Sequence, residues 1–301
     1  MILYVAGDLF ESPAQTLVNT VNTEGVMGKG IALTFKQLFP DMFREYQSIC
    51  ERGQLRIGAL HIFRTPAKLI INFPTKTTWR RPSQPEFIEA GLRTFASNYQ
   101  KIGVRSVAFP PLGCGNGELD FERQVKPLMQ HYLGPLPIQA LVYPPRPQAS
   151  AVEHRDIRAM QAWLRSEPTT LAFDEVWRDL QELLERQTQF ETIAQRGRFE
   201  AVIGDDPARI RVRAAGKTVN FLQDEVREVW RELRHHLVFT PASYPSRKHD
   251  IAYLLPLLAE LPYIDRIQLA DSTDTLRLSP THGIRLMPAS EAPAQRDLLA
   301  V

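Results

Sequence analysis

The chain has 301 residues, 44% of them hydrophobic and 23% charged, with a formal net charge of +2. This excludes a disordered or membrane-embedded composition, leaves room for two domains, and permits an anionic partner without demanding one. Two cysteines, Cys50 and Cys114, are too few for a disulfide framework and lack metal-ligand spacing, so no metal site and no cofactor is expected. With no charged-then-apolar leader and no apolar run of about 18 residues, a cytoplasmic protein without membrane partner is expected.

In chain order, short apolar runs at Ile2–Val5, Leu17–Val21, Leu60–Phe63, Leu69–Phe73, Val104–Phe109 and Ile138–Val142 predict strands. Between them Ile31–Phe39, Asp41–Arg52, Pro85–Lys101 and Phe121–Tyr132 carry helical spacing. Strands apolar on both faces alternating with helices predict an α/β, three-layer αβα domain with a mixed central sheet. "YPPRPQAS", 143–150, reads as an extended linker. The expected organisation is a domain over 1–146, a linker over 147–150 and a smaller α+β domain over 151–301. In the second part Val152–Leu164 and Phe173–Arg186 read as helices. Strands are expected within 198–222, then helices at Asp224–His235 and Asp250–Glu260, with a loose winged-helix-like arrangement after His235. "PASEAPAQRDLLAV" reads as a frayed tail.

Two glycine-rich strand-to-helix turns stand out. "GVMGKGIA" brings Gly25, Gly28 and Gly30 to a helix start, where backbone amides and the helix dipole favour an anion. "PLGCGNG" follows the Val104–Phe109 strand and precedes the Phe121–Tyr132 helix. One such turn is more often only a turn; a pair in one sheet suits a ligand with two phosphates between sugars. Asp8 follows the first strand, in the loops where open α/β sheets collect ligands, and Asn19 and Asn22 flank the end of the next. Cys114 has no histidine close in sequence and reads as a small buried thiol rather than a nucleophile. His131 and His61 read as structural.

"GDLF…LVNTVNTEGVMGKGIALTFKQLFP", "INFPTKTTWRRPS" and "FPPLGCGNGELDF" together resemble the ADP-ribose-binding macrodomain family. Within it the likeness is strongest to bacterial antitoxins that remove ADP-ribose from thymidine in DNA, and more distant to a eukaryotic terminal ADP-ribose protein glycohydrolase. The resemblance covers about residues 1–145. It implies that Asp8 holds the adenine amino group and that Gly28, Lys29 and Gly30 form the first diphosphate loop. Gly113, Cys114, Gly115, Asn116 and Gly117 would form the second, with Leu9, Asn19, Ile31, Pro111 and Leu112 completing the ADP-ribose contacts. Asn22 falls beside the distal ribose and Lys76, in "FPTK", on the catalytic lysine. The eukaryotic relative carries an aspartate where this chain has Gly117, and neither Glu118 nor Asp120 matches its spacing.

The implied reaction breaks an N-glycosidic bond at ribose C1″, with Lys76 either attacking C1″ or staying charged to stabilise the departing base. Trp79 lies between Lys76 and Arg80–Arg81, a pattern of base stacking plus phosphate contact that predicts a single-stranded DNA surface. In the second part Arg209, Arg211 and Arg213 share one strand face, and Arg227, Arg231 and Arg234 recur at helical spacing. They are either solvated or face DNA or an acidic toxin. The family resemblance implies a cognate ADP-ribosyltransferase toxin as partner, bound by the C-terminal half. Three functions follow: a hydrolase acting on ADP-ribosylated single-stranded DNA, a non-catalytic ADP-ribose reader, or an antitoxin acting mainly by direct toxin binding.

Overall fold

The computed structural model describes residues 1–145, 152–194, 197–204, 206–214, 216–269 and 281–288. The expected linker at 147–150 and the tail after 288 lie outside the described residues. The chain divides into two compact units, Met1–Met160 and Gln161–Val301.

The first unit is built on six strands: β1 (Ile2–Tyr4), β2 (Thr16–Asn22), β3 (His61–Arg64), β4 (Leu69–Lys76), β5 (Ser106–Phe109) and β6 (Gln139–Val142). Their order is β1-β6-β5-β2-β4-β3. All neighbours run parallel except the edge pair β3 and β4. Helices α1 (Gly30–Leu38), α2 (Pro40–Glu51), α3 (Pro85–Ile102) and α4 (Lys126–Leu133) connect them. The expected helix from Phe121 is split, with one π-helical turn at Phe121–Val125 ahead of α4.

The central strands explain the three layers. Leu17 and Ile70 point to one face and join Phe35, Met42, Phe43 and Tyr46 of α1 and α2. Val18 and Ile71, one residue further along each strand, point to the other face and join Ile88, Leu92 and Phe95 of α3 with Met129 of α4. Alternation over two apolar faces forces helices onto both sides of the sheet. The five parallel strands all end at one edge, and their loops gather there.

The second unit carries α5 (Ile157–Ser166), whose first turns belong to the first unit, then α6 (Phe173–Arg186), α7 (Gln223–His236) and α8 (Lys248–Leu258). Strands β7 (Gln189–Glu191), β8 (Arg198–Ile203), β9 (Arg209–Ala214) and β10 (Lys217–Leu222) make an antiparallel sheet in the order β10-β9-β8-β7. Strands β11 (Val238–Phe239), β12 (Ile264–Leu269) and β13 (Thr281–Leu286) make a second, in the order β11-β13-β12. The chain order α7, β11, α8, β12, β13, with β11 and β12 both pairing β13, has the strand pairing of the expected winged-helix-like arrangement with two α-helices in place of three. Its α8 is nevertheless a core helix, with Ile251, Leu254, Leu255, Leu257 and Leu258 buried.

The arginine stripe on β9 forms as the alternation predicts, with Ile210 and Val212 buried on the opposite face. Arg213 pairs with Glu200, and on α7 Arg227 pairs with Asp224 and lies over the Phe173 ring. Deep in this unit Asp179 accepts from Arg165 Nε at 3.1 Å and from Tyr263 Oη at 2.9 Å. Burial pushes the Asp179 carboxyl up despite the Arg165 guanidinium beside it. No helix among the described residues is long and apolar enough to cross a membrane.

Candidate active site

At the carboxyl ends of the five parallel strands lies a cleft of about 630 Å³. Its walls come from the loop after β1, the end of β2, the start of α1, the end of β4, the loop after β5 and the residues after β6. That convergence is where ligands bind in open α/β sheets.

One wall is the N-terminus of α1. The helix begins at Gly30, and Lys29 before it makes no side-chain cap. The first-turn amides of Gly30, Ile31 and Ala32, which have no acceptor inside a helix, line the cleft. Gly30 sits at φ +58, a left-handed conformation that costs a side-chain-bearing residue about 1–2 kcal/mol. A Cβ on it would also stand 3.2 Å from Asn116 Nδ2, so the two glycine loops meet here.

The other wall is the second loop. Cys114 N donates to Pro111 O at 3.1 Å and Leu119 N to Gly113 O at 3.0 Å, which folds the loop on itself. The amides of Gly115, Asn116 and Gly117 find no acceptor among the described residues. Gly117 is fixed by lack of room: a Cβ there would lie 2.3 Å from Gly113 O and 2.7 Å from Ser83 Cβ. The loop is anchored to the segment after β4 by Ser83 N donating to Gly117 O at 2.9 Å.

Lys76 closes the end of the cleft. The register of β2 against β4 shifts at Val21/Asn22, so that Asn22 lies beside Lys76. Lys76 Nζ donates to Glu153 Oε1 at 2.7 Å, Trp79 O at 3.0 Å and Asn116 O at 3.2 Å. Three acceptors match the three hydrogens of an ammonium. Asn22 lines the cleft, but its amide is committed to shaping the first loop. Oδ1 accepts from Glu24 N, Val26 N and Tyr46 Oη, and Nδ2 donates to Val26 O. It positions rather than reacts.

Asp8, Leu9, Gly28, Lys29, Gly30, Ile31, Pro111, Gly113, Cys114, Gly115, Asn116 and Gly117 all line the cleft with Asn22 and Lys76. Asp8 Oδ1 caps the following turn by accepting from Phe10 N at 2.9 Å. Burial, helped by Asp120, pushes the Cys114 thiol up to about 12, which keeps it protonated and removes it as a nucleophile.

Three expectations are corrected. Asn19 is fully buried inside the sheet and donates to Asn72 Oδ1 at 2.8 Å, so it faces no ligand. Leu112 is fully buried in the core beneath the second loop. Trp79 has no face for a base: its ring is fully buried with the Arg80 guanidinium 4.2 Å over it. Arg80 is half-buried and Arg81 exposed.

Glu153 was missed by sequence reasoning. It lies beyond the linker in a stretch expected to belong to the second domain, yet it falls in the first unit and lines the cleft. No spacing ties it to a lysine 77 positions earlier. Phe10, Thr20, Val26 and Thr75 also line the cleft, each next to a residue singled out in the sequence, and Tyr143 lines it from just after β6.

The macro domain family model matches residues 18–127, which lie wholly within the first unit and carry both glycine loops and Lys76. The chain belongs to the macro domain family through this unit. Relatives of the macrodomain agree. A Thermus aquaticus protein named DNA ADP-ribosyl glycohydrolase is 46% identical over 159 residues, covering 50% of this chain and 44% of that protein. A Thermosipho africanus protein named as a fusion of DNA ADP-ribosyl transferase and DNA ADP-ribosyl glycohydrolase is 38% identical over 160 residues, covering 47% of this chain and 41% of that one. Among solved structures, the macrodomain of Thermus aquaticus DarG is 47% identical over 48% of this chain and 99% of its own, with a TM-score of 0.46. The chain thus spans less than half the length of these two curated relatives.

Proposed function

We propose that this protein is an ADP-ribosyl glycohydrolase that removes ADP-ribose from a nucleobase, thymidine first, in single-stranded DNA. It acts in the cytoplasm as the antitoxin of a DNA ADP-ribosyltransferase toxin. The observation that carries the reading is Lys76, its Nζ held at the end of a cleft whose two other walls present unpaired backbone amides. A reader of ADP-ribose needs the amides and has no use for a cation held at the cleft's end. The names of the relatives point the same way, and the fusion of transferase and glycohydrolase in one relative supports a toxin partner.

In this reading the α1 N-terminus and the 115–117 amides receive the diphosphate, where fixed dipoles favour negative charge without reorganising. Asp8 sits at the adenine end, and the distal ribose lies at the end marked by Lys76 and Asn22. Lys76 acts on C1″ as the bond to the base breaks. Exposed Arg81, with Arg80, takes a phosphate of the strand, a contact that would weaken with salt. The second unit, with its separate winged-helix-like arrangement, holds the toxin. The test is release of free ADP-ribose from thymidine-ADP-ribosylated single strands by the full chain, with guanosine-ADP-ribosylated strands in parallel. Tight binding of ADP-ribose with release from neither would make the protein a reader.

A further inference from the structure

We propose that Glu153 is the acid–base partner of Lys76: it takes the proton that the lysine must lose before attack and returns it to the departing base. The proposal rests on the hydrolase reading above and names a residue outside the span matched by the macro domain family model.

A lysine ammonium has no lone pair, so Lys76 as the three hydrogen bonds hold it is not a nucleophile. Some group must accept a proton inside the cleft. Of its three acceptors two are backbone carbonyls, which do not take protons, and the third is the Glu153 carboxylate at 2.7 Å. The side chains of Lys76 and Glu153 are 6% and 9% exposed, so an ion pair here has lost most of its water. The proton to be moved already lies on the hydrogen bond between Lys76 Nζ and Glu153 Oε1, so its transfer needs no rearrangement of either side chain. Glu153 Oε2 has no partner among the described residues, which leaves the acid able to receive or deliver a proton on the cleft side.

The segment bearing Glu153 is fixed on the second loop rather than lying across it by chance. Glu153 N donates to Asn116 Oδ1 at 3.4 Å, His154 Nε2 meets Glu118 Oε2 at 2.8 Å, and Arg155 pairs with the other oxygen of Glu118. Glu118 holds φ +61, a conformation non-glycine residues rarely adopt and one that tertiary contacts must maintain. Three consecutive residues thus grip the loop whose amides form one wall of the cleft.

The step balances as follows. Lys76 passes one proton to Glu153. The amine lone pair then forms a bond to C1″ while the bond from C1″ to the base nitrogen breaks, its electron pair leaving with the base. The base takes the proton held by Glu153, which returns to carboxylate. Water then displaces the lysine from C1″, giving free ADP-ribose and restoring the ammonium.

The experiment compares full-chain wild type, Glu153→Gln, Glu153→Asp, Lys76→Ala and the double variant on thymidine-ADP-ribosylated single strands, with ADP-ribose affinity by calorimetry and melting temperature for each. Glutamine keeps the shape and the hydrogen bond but cannot cycle a proton. The expected result is a fall in kcat of about 10²-fold for Glu153→Gln, with KM and ADP-ribose affinity within about threefold of wild type. The acid limb of its pH–rate profile disappears, and Glu153→Asp recovers part of the rate. The double variant is no slower than Lys76→Ala, because the proton that Glu153 returns to the base is the one it takes from the lysine. Wild-type kcat and pH profile in Glu153→Gln, or a loss confined to KM, would overturn the role of Glu153 and leave the hydrolase reading standing. An inactive wild type would overturn both.

Discussion

Placing an aspartate at Gly117 recreates the acid that the resembling eukaryotic glycohydrolase carries in its second loop, and here it should damage the site rather than improve it. A Cβ at 117 stands 2.3 Å from Gly113 O and 2.9 Å from its carbonyl carbon, where ordinary contact begins near 3.4 Å. The clash is with backbone, so no rotamer relieves it, and the loop must open by about 1 Å. Opening strains the Ser83 N to Gly117 O bond of 2.9 Å and the Leu119 N to Gly113 O bond of 3.0 Å. Overpacking of about 1–3 kcal/mol and one lost hydrogen bond of about 1 kcal/mol together give about 2–4 kcal/mol. For a folding unit of this size each kcal/mol lowers the melting temperature by about 2–4 °C, so Gly117→Asp should melt roughly 4–16 °C below wild type. ADP-ribose affinity should fall in the same protein, because the 115–117 amides move. Differential scanning calorimetry with and without ADP-ribose measures both. A variant that melts within about 2 °C of wild type with unchanged affinity, or that hydrolyses faster, refutes the reasoning.

Lys76→Ala should lower the rate of ADP-ribose release by about 10³-fold or more while ADP-ribose still binds, since the amide walls are untouched; single-turnover release assays with calorimetry check this. Asn22→Ala should cost about 1–3 kcal/mol by leaving the Glu24 and Val26 amides without their acceptor, and should weaken ADP-ribose binding through the first loop; chemical denaturation and calorimetry measure the two effects. Cys114 should resist iodoacetamide at pH 8 in the folded protein and react only on unfolding, as followed by mass spectrometry. Its thiol is raised from an ordinary 9.0 to about 12, so the folded state holds that proton longer than the unfolded chain. The stability it contributes is therefore complete below pH about 9 and lost as pH rises toward 12. Cys114→Ser should flatten the fall of stability across that window.

The parts of the site legible in the sequence were those written in backbone chemistry. Glycines at the two turns, a lysine at the end of β4 and an aspartate after β1 are local features, and each sits where its strand delivers it. Side-chain direction was harder to read. Asn19 and Asn22 are three residues apart on one strand, and β2 sends Asn19 into the sheet interior against Asn72 while the register shift at its end brings Asn22 to the cleft. Trp79 among cations reads as an exposed stacking platform, yet the same composition describes a buried ring roofed by Arg80. Glu153 was out of reach because its partner lies 77 positions away and nothing periodic links them. In the second unit the strand alternation was plain, but whether its arginines are free depended on acids such as Glu200 that only the fold brings opposite.

The grip of residues 153–155 on the second loop has a practical corollary for how this protein is divided. A fragment ending with β6, the last strand of the sheet, would keep both amide walls and Lys76. Such a fragment would hold all six strands of the sheet and look complete. It would nevertheless lack the carboxylate 2.7 Å from that lysine. The sheet and the ion pair therefore draw different borders on this chain: the sheet closes at Val142, before the linker, and the pairing of Lys76 closes after it.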